Sequence, residues 1–266
     1  ENKKLDNDLA YAYKNLAKAY QSTNALDDAI VYYLKSLDKD KALGNPNCII
    51  QSSKSLGDLY SKKQEYTEAV NYYTSALEYI KPTDTLLKAA ILPSLGGAYV
   101  NTKRYALARR TLKEGERLNR SIKNDLGILI SLNNLGTLSY DTSNYEAAND
   151  YLLEAGSIGR VINSETELLN TYLLHKTLDS TTGNFERAFA WQREYHELKH
   201  KSKVEETIIP TVVKAINDSI KEAALVKDSI PITDNTLNGT KVLKNTESIS
   251  RLKLVFYTLL AAFAIA

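Results

Sequence analysis

Residues 131–155 read SLNNLGTLSYDTSNYEAANDYLLEA, and this stretch decides the fold. Leu135 is followed by the small Gly136, and three residues further on stands Ser139. Tyr145, Ala148, Leu152 and Ala155 follow at helical spacing. Apolar groups at i, i+3 and i+4 form one stripe of an amphipathic helix. The small residue beside the leucine lets a second helix approach closely. That second helix packs its bulky residue and alanine back onto the first. The stretch therefore predicts a helical hairpin.

The same hairpin recurs outward in both directions. The alanine stands at Ala29, Ala69, Ala108, Ala148 and Ala188, at steps of 40, 39, 40 and 40 residues. Three residues before it come Leu26, Tyr66, Tyr105, Tyr145 and Phe185. Thirteen before it, in four copies, come Leu16, Leu56, Leu95 and Leu135, each followed by Ala17, Gly57, Gly96 or Gly136. Tyr20, Tyr60, Tyr99 and Ser139 complete the first helix; Tyr33, Tyr73, Leu112 and Leu152 continue the second. Polar turns such as Ser22-Thr23-Asn24 and Ser61-Lys62-Lys63-Gln64 join the two. Each hairpin leaves an apolar face open, and the next hairpin covers it, which is the logic of a solenoid.

These positions resemble the signature of the tetratricopeptide repeat (TPR) family, over about Leu9 to Tyr195. The period exceeds the family's usual length of about 34 residues, and the longer copies resemble those of bacterial sensor and regulator proteins. The resemblance implies an all-α, TPR-type right-handed superhelical solenoid of about five repeats. Their expected bounds are 5–43, 44–82, 83–122, 123–162 and 163–203. The fifth copy departs from the pattern, with His175, Lys176 and Asp179 in place of leucine, the small residue and tyrosine. Gly183, Phe185 and Ala188 still mark its second helix, and it reads as the closing repeat, since terminal repeats are atypical.

Composition fits this class. Pro (5) and Gly (11) are few, which favours helices over a turn-dense β protein. The 34 basic and 32 acidic residues give a net charge of +2, too mixed to imply a nucleic-acid partner for the chain. Cys48 is the single cysteine, so no intrachain disulfide forms, and it reads as a small buried hydrophobe near a helix start. The sequence contains no methionine and opens on the charged stretch 1–8. We expect the start of the gene product, with any signal peptide or lipid anchor, to precede it.

In TPR proteins the first helices line a concave groove. The resemblance then implies ligand-facing positions around each signature leucine. In the first copy these are Tyr11, Lys14, Asn15 and Lys18; in the second, Gln51, Lys54, Ser55 and Asp58. The third supplies Ser94, and the fourth Asn133, Asn134 and Thr137. The row Asn15, Ser55, Ser94, Asn134 offers groups that both donate and accept hydrogen bonds, suited to holding a peptide backbone without reading its sequence. Chaperone-binding members clamp a carboxylate with basic residues. Pro93, Ser94 and Gly97 stand where the third helix would supply them, so that specialisation is not expected. Pro93 removes one helix hydrogen bond and kinks the helix, leaving a carbonyl near Ala89 unpaired; a plain packing kink is the favoured explanation, with a bond from a groove ligand as the other reading.

His196-Glu197-Leu198-Lys199-His200 matches the H-E-x-x-H pattern of zinc peptidases. It sits at the end of a repeat helix among lysines, without the extension that metzincins carry, so zinc catalysis is only a remote alternative. No phosphate-cradling G-x-x-x-x-G-K-[ST] loop is present, no cofactor is implied, and the segment is not expected to be an enzyme.

Beyond the repeats, residues 204–228 are expected to form a capping helix and 229–250 a linker. Residues 251–266 end in LVFYTLLAAFAIA, Leu254–Ala266, thirteen residues without a charge. That is short of the roughly twenty needed to span a bilayer, and it reads as the start of a truncated transmembrane helix bordered by Arg251 and Lys253. The layout resembles the extracytoplasmic input half of membrane-anchored bacterial histidine kinases or transcriptional regulators. The expected partners are a protein or peptide in the groove, the membrane at the C-terminal end, and a second copy in a homodimer. A membrane-tethered scaffold for complex assembly is the alternative.

Overall fold

The computed structural model describes residues 2–201, with side chains from Leu5 onward. They lie within the first of the chain's two units, Glu1–Glu205. The expectations for 204–266 fall outside the described residues. Nine helices carry the array: α1 (Asn2–Ser22), α2 (Leu26–Leu43), α3 (Pro46–Lys62), α4 (Tyr66–Glu78), α5 (Thr85–Asn101), α6 (Tyr105–Ser121), α7 (Asp125–Asp141), α8 (Tyr145–Val161) and α9 (Glu165–Thr181). A further helical stretch, α10, covers 185–201. The described residues contain no strand. The architecture is an all-α, TPR-like solenoid of stacked helical hairpins.

The turns within the hairpins repeat as faithfully as the helices. Asn24, Gln64, Lys103, Ser143 and Gly183 all adopt positive φ at one equivalent position. The next backbone N–H reaches back to the first helix, as Ala25 to Tyr20 O and Glu65 to Tyr60 O, both 2.9 Å. This left-handed closure satisfies carbonyls that a helix end leaves unpaired. Side-chain caps start several helices: Asp84 accepts from Leu87 N–H at 3.2 Å, and Asn144 from Ala147 N–H at 3.3 Å.

The signature leucines are the core. Leu56, Leu95 and Leu135 are fully buried, and each packs beneath the second helix of the preceding hairpin. Leu16 has no preceding hairpin among the described residues and stays 42% exposed. The glycine after each leucine faces its own second helix: a side chain at Gly57 would meet Tyr73, at Gly96 Leu112, and at Gly136 Leu152. Tyr20 stacks on Tyr32 at 5.4 Å and Tyr60 on Tyr72 at 5.3 Å, bracing the two helices of a hairpin.

The fifth hairpin replaces this set as a unit. His175 takes the leucine position, 1% exposed, and stacks on Trp191 at 4.2 Å. Burial pushes the His175 imidazole down to about 4. Asp179 takes the tyrosine position, and Trp191 Nε1 donates to its carboxylate at 2.9 Å. Arg187 lies 3.4 Å from the same oxygen. The aromatic brace has become an indole–carboxylate bond.

Candidate functional site

First helices of the last three described hairpins pack on one another, α5 with α7 and α7 with α9, while no comparable packing joins α1 to α3, α2 to α4 or α6 to α8. The first helices therefore form the tighter, inner row. Within that row α3 and α5 barely meet. The connection before α5 is the longest in the array, residues 79–84 with Pro82, and it follows the shortest helix, α4. A cleft of about 390 Å³ opens between α3 and α5, inside the range of small-ligand sites, roughly 300–1,000 Å³. Ile50, Leu87, Ala90 and Ile91 give it an apolar lining, beside Cys48, while Asn47, Gln51 and Lys54 supply the polar groups.

Two of the groove residues expected from sequence, Gln51 and Lys54, thus come together in one cleft. Lys54 pairs with Asp58 at 2.7 Å, with both side chains about a third exposed. Such a pair contributes little to stability, so the ammonium is available to another carboxylate at small cost. Asp58 also accepts from Tyr73 O–H at 2.7 Å. Burial, with the Asp58 charge beside it, raises the Tyr73 phenol well above its usual range. Asp58 is therefore both an anchor for Tyr73 and the partner of Lys54.

The other expected positions separate into two sets. Tyr11, Asn15 and Lys18 lie exposed on α1, outside the cleft, and Ser55, Ser94, Asn134 and Thr137 are half-buried along the inner row. Asn134 Nδ2 donates to Pro93 O at 3.2 Å, tying α7 to α5, and Thr137 bonds back to Asn133 O. Lys14 and Asn133 depart from the groove expectation. Lys14 is 6% exposed, with its ammonium 3.4 Å from the buried Asp40 of α2. Asn133 is 1% exposed: its amide donates to Glu167 and accepts from Thr171 O–H at 2.8 Å, joining α7 to α9. One residue of rotation, about 100° on a helix, separates it from the half-buried Asn134.

Two further expectations change. The carbonyl freed by Pro93 is not open to a ligand: Asn119 of α6, fully buried, donates from Nδ2 to Ala89 O at 2.9 Å and to Gly115 O at 2.8 Å. Cys48 is half-exposed at the cleft rather than buried. It and Asn47 were missed as cleft residues, although Asn47, Gln51 and Lys54 share one i, i+4, i+7 face that runs a turn earlier than the groove positions. Ile91 and Leu87 gave no such signal, because only the spreading of α3 from α5 makes them part of a cleft.

Among the described residues no group of three His, Cys, Asp or Glu side chains is placed to hold a metal ion. His196, Glu197 and His200 lie exposed on α10. No helix of the described residues is long and apolar enough to cross a membrane.

No curated protein matches the chain in sequence. Among solved structures, the chain is similar to a Rap protein complexed with competence and sporulation factor (TM-score 0.66, 14% identity), covering 92% of this chain and 70% of that one. It is similar to aspartyl phosphate phosphatase F from Bacillus subtilis (TM-score 0.64, 14% identity, 86% of this chain), of which it spans 64%. It is also similar to BtubC from P. vanneervenii (TM-score 0.58, 17% identity), covering 76% of this chain and 88% of that one. At such identities the likeness is one of fold. Two tetratricopeptide repeat models match residues 7–81 and 128–160. Residues 7–81 and 128–160 thus match tetratricopeptide repeats, and the hairpin of those segments recurs along the array.

Proposed function

We propose that the chain binds an extended peptide segment of another protein along the inner row of helices, with an apolar side chain of that segment seated between α3 and α5. The observation that carries this reading is the cleft itself: an apolar lining edged by Gln51 and Lys54 on the inner row. Burying one aliphatic or aromatic side chain there contributes about 1.5–3 kcal/mol. The Gln51 amide both donates to and accepts from a peptide backbone. Two Rap proteins of similar fold were solved with the competence and sporulation factor and with the Phr* peptide, which supports a peptide as the ligand class. Panning a random dodecapeptide library on the chain is the test. The expected peptides share an apolar residue. Their affinity falls at least tenfold, about 1.4 kcal/mol, in Gln51→Ala/Lys54→Ala and in Ala90→Trp, which fills the cleft from an exposed position. Peptides whose affinity survives both variants would place binding elsewhere.

A finer reading rests on Leu254–Ala266: the domain serves as the extracytoplasmic sensory region of a membrane-anchored bacterial signalling protein. Co-sedimentation of the chain with phospholipid vesicles, lost on deleting residues 254–266, is its expected result. A chain carrying residues 254–266 that stays in the supernatant contradicts it.

A further inference from the structure

From Lys103 to Lys123 the sequence holds eight basic residues against only Glu114 and Glu116, in a chain whose net charge is +2. This surplus of six positive charges is centred on one helix. On α6 the buried side is Ala108, Leu112, Gly115 and Asn119. The helical period sets Arg110, Lys113 and Arg117 in a line on the opposite side, and all three are exposed; Lys113 pairs with Glu116 at 3.0 Å, while the two arginines are unpaired. The line follows a helix of 17 residues, about 25 Å long.

The arginines of the described residues fall into two groups. Arg120 pairs with Glu116 and Glu154, Arg160 meets Tyr172, Arg187 meets Asp179, and Arg193 pairs with Glu197. Arg104, Arg109, Arg110 and Arg117 make neither an ion pair nor a side-chain hydrogen bond among the described residues. All four stand on α6 or at its N-cap. A guanidinium fork is suited to bidentate capture of a carboxylate.

We propose that the outer face of α6 docks an acidic peptide segment of a partner protein, at a site separate from the inner-row cleft. The width of the basic stripe favours this class of partner. Neighbouring second helices expose carboxylates, Glu68 and Glu78 on α4 and Glu146, Asp150 and Glu154 on α8. A nucleic-acid duplex or a flat anionic membrane, broader than one helix, meets that negative border. A single acidic helix or strand fits inside it. Leu107, 46% exposed beside the stripe, gives such a segment an apolar edge to rest on.

Fluorescence anisotropy of a labelled deca-glutamate peptide, titrated with the full chain, tests the proposal. The expected result is salt-sensitive binding that weakens at least tenfold in Arg110→Glu/Arg117→Glu, weakens less in Arg110→Gln/Arg117→Gln, and is unchanged in Gln51→Ala/Lys54→Ala. The glutamine variant keeps the surface polar and guards against a folding defect. No binding, or equal binding by the charge-reversed variant, overturns the proposal. Tighter binding of a 20-base-pair duplex or of phosphatidylserine vesicles than of the peptide also overturns it, in favour of nucleic acid or membrane.

Discussion

Replacing Gly57 by alanine is expected to lower the stability of the array by about 3 kcal/mol, at the upper end of what overpacking a core costs. A Cβ at this position would lie 2.5 Å from Tyr73 Cε1 and 2.6 Å from its Cδ1. The ring cannot swing aside, because Tyr73 is 1% exposed and its hydroxyl is bonded to Asp58 at 2.7 Å. Either α4 moves away from α3 or the ring leaves its bond. Gly156 is the control. A Cβ there meets nothing closer than 3.6 Å, at the end of the Arg160 side chain. Gly156→Ala should therefore be neutral or gain up to about 1 kcal/mol from helix propensity. The two urea midpoints should move in different directions or by clearly different amounts. Equal shifts would show that the glycine after the leucine is not a contact requirement.

Asn119→Ala should cost about 3 kcal/mol for a different reason. Pro93 lacks the N–H that would bond Ala89 O, and Asn119 supplies the missing donor from the neighbouring helix. Asn119 also accepts from Asn124 Nδ2 at 2.7 Å, so its removal strands several buried groups at once. Each unsatisfied buried group costs roughly 1–3 kcal/mol. Pro93→Ala returns a backbone donor for Ala89 O. In the double variant Asn119→Ala/Pro93→Ala the two losses should fall short of their sum by at least about 1 kcal/mol, a coupling that a double-mutant cycle measures. Strict additivity would show that the asparagine does not stand in for the proline's missing bond.

These two cases mark what the amino-acid sequence discloses. The contact of Gly57 with Tyr73 was legible, because both belong to one hairpin and recur at fixed spacing with Gly96–Leu112 and Gly136–Leu152. The role of Asn119 was not. It meets Ala89 across thirty residues, at a place where no other copy has a proline. Lys14 was similarly opaque: helical periodicity put it beside Asn15 on the groove, but Asp40 on the next helix draws it inward. Asn133 and Asn134 are adjacent in sequence, and only the path of α9 decides which one is buried.

At the fifth hairpin, His175 and Asp179 read as departures from the pattern, since each was compared with its own position alone. Their partner Trp191 sits on α10, and the three form one exchanged set. The cleft was half-visible. Gln51 and Lys54 follow from the groove positions that the family resemblance implies, whereas the opening arises where α3 and α5 separate, next to the long connection 79–84. A stretch such as Pro82-Thr83-Asp84 announces a helix start but carries no information on how far two helices will spread.

Cys48 offers the most direct test of cleft occupancy, because it is the single cysteine of the chain and it lines the cleft. The rate of its alkylation by N-ethylmaleimide, measured with and without a saturating concentration of a selected peptide, reports on that space alone. A peptide seated between α3 and α5 should slow the reaction at least tenfold. An unchanged rate with the peptide fully bound would contradict the account and move recognition away from this cleft.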